Sequence, residues 1–204
     1  MQNTFQPEIS DATFNLLVYQ TIEYILSKKI DKKKQREEIE EIGRQLGEKV
    51  MNNLLNFDQS AGYIRSSNEI ENILRFIGNR LFNYIFGINE AKDGWNLERS
   101  KDGNLTYSCT FGDIRLFSFL VQNKHNIRND KTDAVLLFIA GVIKGAIKVF
   151  NFDSAIHPSA SVHSPQNSKL KIPALYTLRF DINIINYNNA QEILERERKK
   201  EVSK

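Results

Sequence analysis

A single cysteine, Cys109, in a chain of 204 residues rules out a disulfide within the chain and suits a reducing cytosol or nucleus. Long apolar runs are missing too. The most apolar stretch, Ala134 to Ile143, meets Lys144 and Lys148, well short of the about 20 residues that a membrane span needs. The opening MQNTFQPEISDATF has no basic segment followed by an apolar one, so a secretory signal is not expected. A net charge of +3 gives no reason to expect nucleic acid as a partner. The basic residues gather in KKIDKKKQR (Lys28 to Arg36) and RERKK (Arg196 to Lys200). Both read as solvated helix ends, with weak attraction to an anionic membrane or an acidic partner as the second reading.

Reactive constellations are equally scarce. His125, His157 and His163 have no Cys or carboxylate partner at metal-ligand spacing, so no metal site is expected. The chain lacks G-x-S-x-G, a Walker loop and G-x-G-x-x-G. Glu37, Glu38, Glu40 and Glu41 crowd one segment among charged neighbours, where nothing would desolvate a carboxylate for acid–base work. Cys109 alternates with Tyr107 and Phe111 on the apolar side of a strand and reads as a small hydrophobe. Trp95 is expected to cover the end of a sheet. No catalytic residue, cofactor or metal is therefore expected, and the chain does not read as an enzyme.

What is present is enough apolar material, 41% with thirteen Phe, for one real core. Behind the capping candidates Ser10 and Asp11, the residues Phe14, Leu17, Val18, Thr21, Ile22 and Ile25 recur at helical spacing. Leu16, Tyr19 and Tyr24 make a second face of that segment partly apolar. A second helix from about Lys34 to Phe57 carries Ile39, Ile42, Leu46, Val50 and Leu54 on one stripe, with Gly43 and Gly47 along the same side. A third starts at a capping-box pattern, Ser66 with Glu69, and buries Ile70, Ile73, Leu74, Ile77, Leu81, Tyr84 and Ile85 before Gly87 ends it.

The period then changes to that of strands. NLTYSCTF and IRLFSFLV, joined by Gly112-Asp113, read as an antiparallel hairpin. After a helix over about Thr132 to Phe150 come SAIHPSASVH, whose proline predicts an edge or bulge, and ALYTLRFDINII. The expected fold is α+β: helices packed on one face of a small antiparallel four-stranded sheet, in the order ααα-ββ-α-ββ. One domain is expected over 1–188, with 189–204 a charged tail, helical or frayed.

Two glycine pairs need a reason, because Gly costs about 1 kcal/mol against Ala inside a helix. Gly141 and Gly145 leave a shallow face on the fourth helix, which predicts close packing on the sheet within the chain. Gly43 and Gly47 predict helix-to-helix contact, inside the domain or across an interface.

IEEIGRQLGEKVMNNLL, ILRFIGNRLFNYIFG, FIAGVIKGAIKVFNFDSAI and LYTLRFDINIIN, in this order, resemble the small core subunits of the TRAPP vesicle-tethering complex over about Phe14 to Asn188. GRQLGEKV, YIFG and RFDINIIN look most like the subunit-five branch, with the subunit-three and subunit-six branches as alternatives. The subunit-three branch carries an acylated cysteine ahead of its third helix; AGYIRSSNE has none, so acylation does not transfer. The resemblance implies a non-catalytic scaffold that pairs with a sister subunit through its first two helices. The implied interface includes Phe14, Leu17, Val18, Tyr24, Gly43 and Gly47. It also implies an assembly that promotes nucleotide exchange on a Rab GTPase in ER-to-Golgi or Golgi traffic. The Rab would meet this chain only through the complex, which would be cytoplasmic and peripheral on Golgi or ER-exit membranes. The alternative reading is a module binding a small molecule or acyl chain in an apolar cavity.

Overall fold

A computed structural model of the chain describes residues 11–57, 63–64, 67, 69–87, 90–99, 101, 103–111, 130–150, 156–163, 177–184 and 187–202. Helix α1 is Asp11–Ser27 and α2 is Lys32–Phe57. Helix α3 has α-helical parts at Ile70–Phe76 and Phe82–Phe86, joined by a π-helical turn at Ile77–Leu81. Helix α4 is Asp130–Lys148 and α5 is Tyr187–Val202. The strands are β1 (Glu90–Arg99), β2 (Leu105–Phe111), β3 (Ile156–His163) and β4 (Thr177–Ile184).

The turn between α1 and α2 is closed from the second helix. A helix leaves its last carbonyls without partners, and the buried Gln35 supplies them for α1. Its Nε2 donates to the carbonyls of Ile25, Leu26 and Lys28 at 3.3, 3.1 and 3.0 Å. Ser66 lies outside the described residues. The residue capping α3 is Glu69, whose side chain makes no capping bond and accepts from Asn72 Nδ2 at 2.8 Å, while its backbone N–H donates to Ser67 Oγ at 3.2 Å. Gly87 does end α3 in the left-handed region, at φ 63°, with its N–H on the Asn83 carbonyl at 2.9 Å.

The π-helical turn changes which side chains α3 buries. A π-bulge adds a residue to one turn and so rotates everything after it. Leu81, Phe82, Ile85 and Phe86 all go inside, whereas Tyr84, expected on the buried stripe, is 60% exposed. The turn also sets Gly78 over the sheet, where an added Cβ would lie 2.8 Å from Tyr107 Oη and 3.4 Å from Cys109 Sγ.

The sheet is antiparallel throughout, in the order β1-β2-β4-β3. Its continuous register runs through three strands: Tyr107 stands opposite Ile182, and Ile182 opposite Pro158. Strand β1 joins at the edge with a register shift between Glu90 and Trp95. Leu105, Tyr107, Cys109, Ile182 and Ile184 are all buried, and Ser108 Oγ donates to Asp181 Oδ1 at 2.6 Å among the alternate positions.

The expected α+β fold in the order ααα-ββ-α-ββ does not describe this chain. Among the described residues most of the regular structure is helical, three of the expected strands lie in the sheet, and the expected order omits β1 before β2 and α5 after β4. The partner of β2 in the hairpin is β1, which precedes it; IRLFSFLV lies outside the described residues. The physical reason is that EAKDGWNLER sits at an edge. There, Asn96, Glu98 and Arg99 stay in water and no apolar alternation is needed. Pro158 lies on β3 at the other end of the strand order, where a missing N–H is tolerated. Helix α5 has little apolar surface but is anchored. Leu194 is buried, the Gln191 side chain accepts from the Ile70 N–H at 3.4 Å, and Arg99 lies 5.0 Å from the Tyr187 ring.

Helix α4 is buried on nearly every side and packs against α2, α1 and β3. Its glycines face α2, not the sheet, and that corrects the expected helix-on-sheet packing. A Cβ on Gly141 would stand 2.3 Å from the Glu40 carbonyl oxygen, and one on Gly145 1.9 Å from that of Arg44. In return, a Cβ on Gly43 would stand 2.2 Å from the Phe138 oxygen, and one on Gly47 2.0 Å from that of Val142. The two pairs therefore serve one contact, backbone against backbone. Lys32 with Asp130 (3.3 Å), Lys144 with Glu40, and Lys148 with Glu48 (3.0 Å) flank it and show that α2 and α4 run in the same direction.

Candidate functional site

Drawing α2 onto α4 leaves α1 to close over a seam that it does not fill. The result is an apolar cavity of about 160 Å³ that opens at the surface. Helix α1 lines it with Phe14, Leu17, Val18, Thr21, Ile22 and Ile25; α2 contributes Ile39, Ile42 and Leu46, and α4 contributes Phe138. The floor is the core itself: Ile22, Ile25, Ile39 and Phe138 are all nearly inaccessible. At the rim, Leu17 is 59% exposed. Ile42 and Leu46, which belong to the stripe of α2, are only half-buried because the glycines have taken its innermost side.

The surface around the opening carries little charge. No charged residue lies between Asp11 and Glu23, and along that stretch Leu16 and Leu17 reach solvent, with Tyr24 at 66% exposure about two turns beyond Leu17. Charges begin at the flanks and are paired there. Lys131 donates to Glu23 and, at 3.1 Å, to Tyr19 Oη. The Lys131 bond, joined by one that Tyr19 Oη donates at 2.9 Å, holds the Glu23 carboxyl below its ordinary pKa, and the bonds to Glu23 and Tyr19 hold the Lys131 ammonium above its own. Lys28 pairs with Glu38 and lies 5.0 Å from the Tyr24 ring. On α2, Arg44 donates to both oxygens of Glu41, and Gln45 adds a third bond at 2.9 Å. The carboxyl is thereby lowered to about 2.

Such a site can bind but not react. Thr21 is the one polar residue in the lining, and its hydroxyl already donates to the Leu17 carbonyl at 2.8 Å. Cys109 is buried in the core cluster well inside the chain. Among the described residues no three His, Cys, Asp or Glu gather to hold a metal ion, and no helix is long and apolar enough to cross a membrane.

Of the residues expected at an interface, Phe14, Leu17 and Val18 meet in this groove, and Tyr24 stands beside it on the exposed face of α1. Gly43 and Gly47 do not join them, being buried against α4 of the same chain. Thr21, Ile42 and Leu46 belong to the site but read as core from the sequence. The available signal was a stripe on α2 too broad for one neighbour once two glycines lay inside it.

A family model described as transport protein particle (TRAPP) component matches residues 14–180. No curated protein matches the chain. The match takes in nearly all of α1, the whole of α2, α3 and α4, the groove that α1, α2 and α4 line, and most of the sheet, and so the chain belongs to the TRAPP component family and is a subunit of a vesicle-trafficking complex.

Proposed function

We propose that this chain is a non-catalytic adaptor of the TRAPP complex, of the subunit-five type, which docks a sister subunit on α1 and α2. The observation that carries the reading is the outer face of α1, which holds no charged residue from Ala12 to Ile22. There Leu16, Leu17 and Tyr24 lie exposed beside an open apolar groove on a helix that otherwise packs normally. Depletion of charge around aromatic and aliphatic anchors marks the centre of protein interfaces, and a stable one buries about 800 Å² on each partner. Gly43 and Gly47 act indirectly, by fixing α2 against α4 and so setting the width of the groove. The assembly, in this reading, promotes nucleotide exchange on a Rab GTPase and tethers vesicles at Golgi or ER-exit membranes. The chain itself stays cytoplasmic and touches membrane only peripherally.

Hydrogen exchange on the chain alone and on the chain co-expressed with each sister small subunit tests the docking face. Added protection should concentrate in residues 13–25 of α1 and around Ile42 and Leu46 of α2. Protection confined to α5 or the sheet would reject this face as the docking site.

A further inference from the structure

Resting on the reading of this face as a subunit interface, we propose that the groove is a lock for one bulky apolar side chain, of Leu or Phe size, projecting from a helix of the sister subunit. The walls of the opening are two i,i+4 pairs on neighbouring helices, Leu17 with Thr21 on α1 and Ile42 with Leu46 on α2. In coiled coils one knob seats among four residues of a single facing helix; here the four come two from each helix and bound an opening that a third helix fills with one side chain. The volume agrees. A cavity of about 150 Å³ lined by Leu, Ile and Phe takes one benzene-sized group, and this one measures about 160 Å³. A long acyl chain would leave most of its carbons in water. The electrostatics agree as well. The carboxylates that adjoin lining residues along the chain, Glu23, Glu38, Glu40 and Glu41, are already bound to Lys131, Lys28, Lys144 and Arg44, so they ask for no counter-charge from the occupant.

Affinity for the co-expressed sister subunit, with Tm measured on each free variant, tests the lock. Thr21→Phe and Ile42→Phe fill the hole from opposite walls, and each should weaken binding about tenfold or more while leaving the free chain folded with an undiminished Tm. Leu46→Ala widens the hole without overlap and should weaken binding severalfold, which keeps the test valid where a filled variant folds poorly. Filled variants that bind like wild type while Leu17→Asp does not would overturn the lock and leave the docking face standing. Wild-type affinity in Leu17→Asp as well would remove the docking face and the lock together. A Tm raised by palmitate in wild type but not in the filled variants would assign the cavity to lipid and overturn the proposal.

Discussion

Gly145 shows how little room the crossing of α2 and α4 allows. With the Arg44 oxygen 1.9 Å from where a Cβ would go, Gly145→Ala cannot be accommodated by turning a side chain; two backbones must separate. Ala gains about 1 kcal/mol in helix propensity, and overpacking costs about 1–3 kcal/mol or more when backbone has to move. We expect a net loss of up to about 2 kcal/mol, read as a lower urea midpoint at unchanged slope. Gln35 presents a different kind of constraint. Gln35→Leu removes the side-chain donor shared by three carbonyls at and just past the end of α1, of which Ile25 keeps the Lys28 N–H, and should cost about 1–3 kcal/mol in the same measurement. Glu41 gives a pH dependence whose sign is fixed. Its carboxyl is lowered to about 2 by Arg44 and Gln45. Its contribution is therefore complete above the ordinary value of 4.5 and lost as pH falls from there toward about 2. Glu41→Gln should flatten thermal stability against pH in that window only.

At the scale of elements, the apolar stripes of α1, α2 and α3 were legible because each helix buries one face against something larger. The stop at Gly87 was legible because only a left-handed residue fits there. Strand β1 was hidden by its position: an edge strand carrying Glu98 and Arg99 in water has no reason to alternate. The phase of α3 beyond Ile77 was hidden as well, since the π-helical turn that sends Tyr84 outward depends on Gly78 meeting Tyr107 across the core. Glycine spacing revealed that two helix faces were bare but not that they faced each other. Partner choice depends on topology, which brings residues 43–47 beside 138–145. The same gap hid half of the groove, because Ile42 and Leu46 look like core until α4 is seen to occupy the glycine side. A separation of roles between elements follows. Substitutions on the α2–α4 crossing should lower stability, whereas Leu17→Asp and Tyr24→Asp on the exposed face of α1 should change the free chain by less than about 0.5–1 kcal/mol. Thermal unfolding of the isolated variants checks that separation.

For the whole molecule, the paired helices α2 and α4 meet β3 on one side and carry α1 on another, and the groove left between α1 and α2 is lined by apolar side chains and Thr21. Such a molecule is built to be held by another polypeptide, and membership of the TRAPP component family supplies the class of assembly. In the proposed reading, the outer face of α1 is where that assembly grips. The direct measurement is the native mass of complexes recovered with wild-type chain and with the double variant Leu17→Asp, Tyr24→Asp. Wild type should appear at unit stoichiometry with sister small subunits, and the double variant should appear as a folded monomer. A double variant that still co-assembles at unit stoichiometry, or a wild-type chain found only as a monomer, would contradict it.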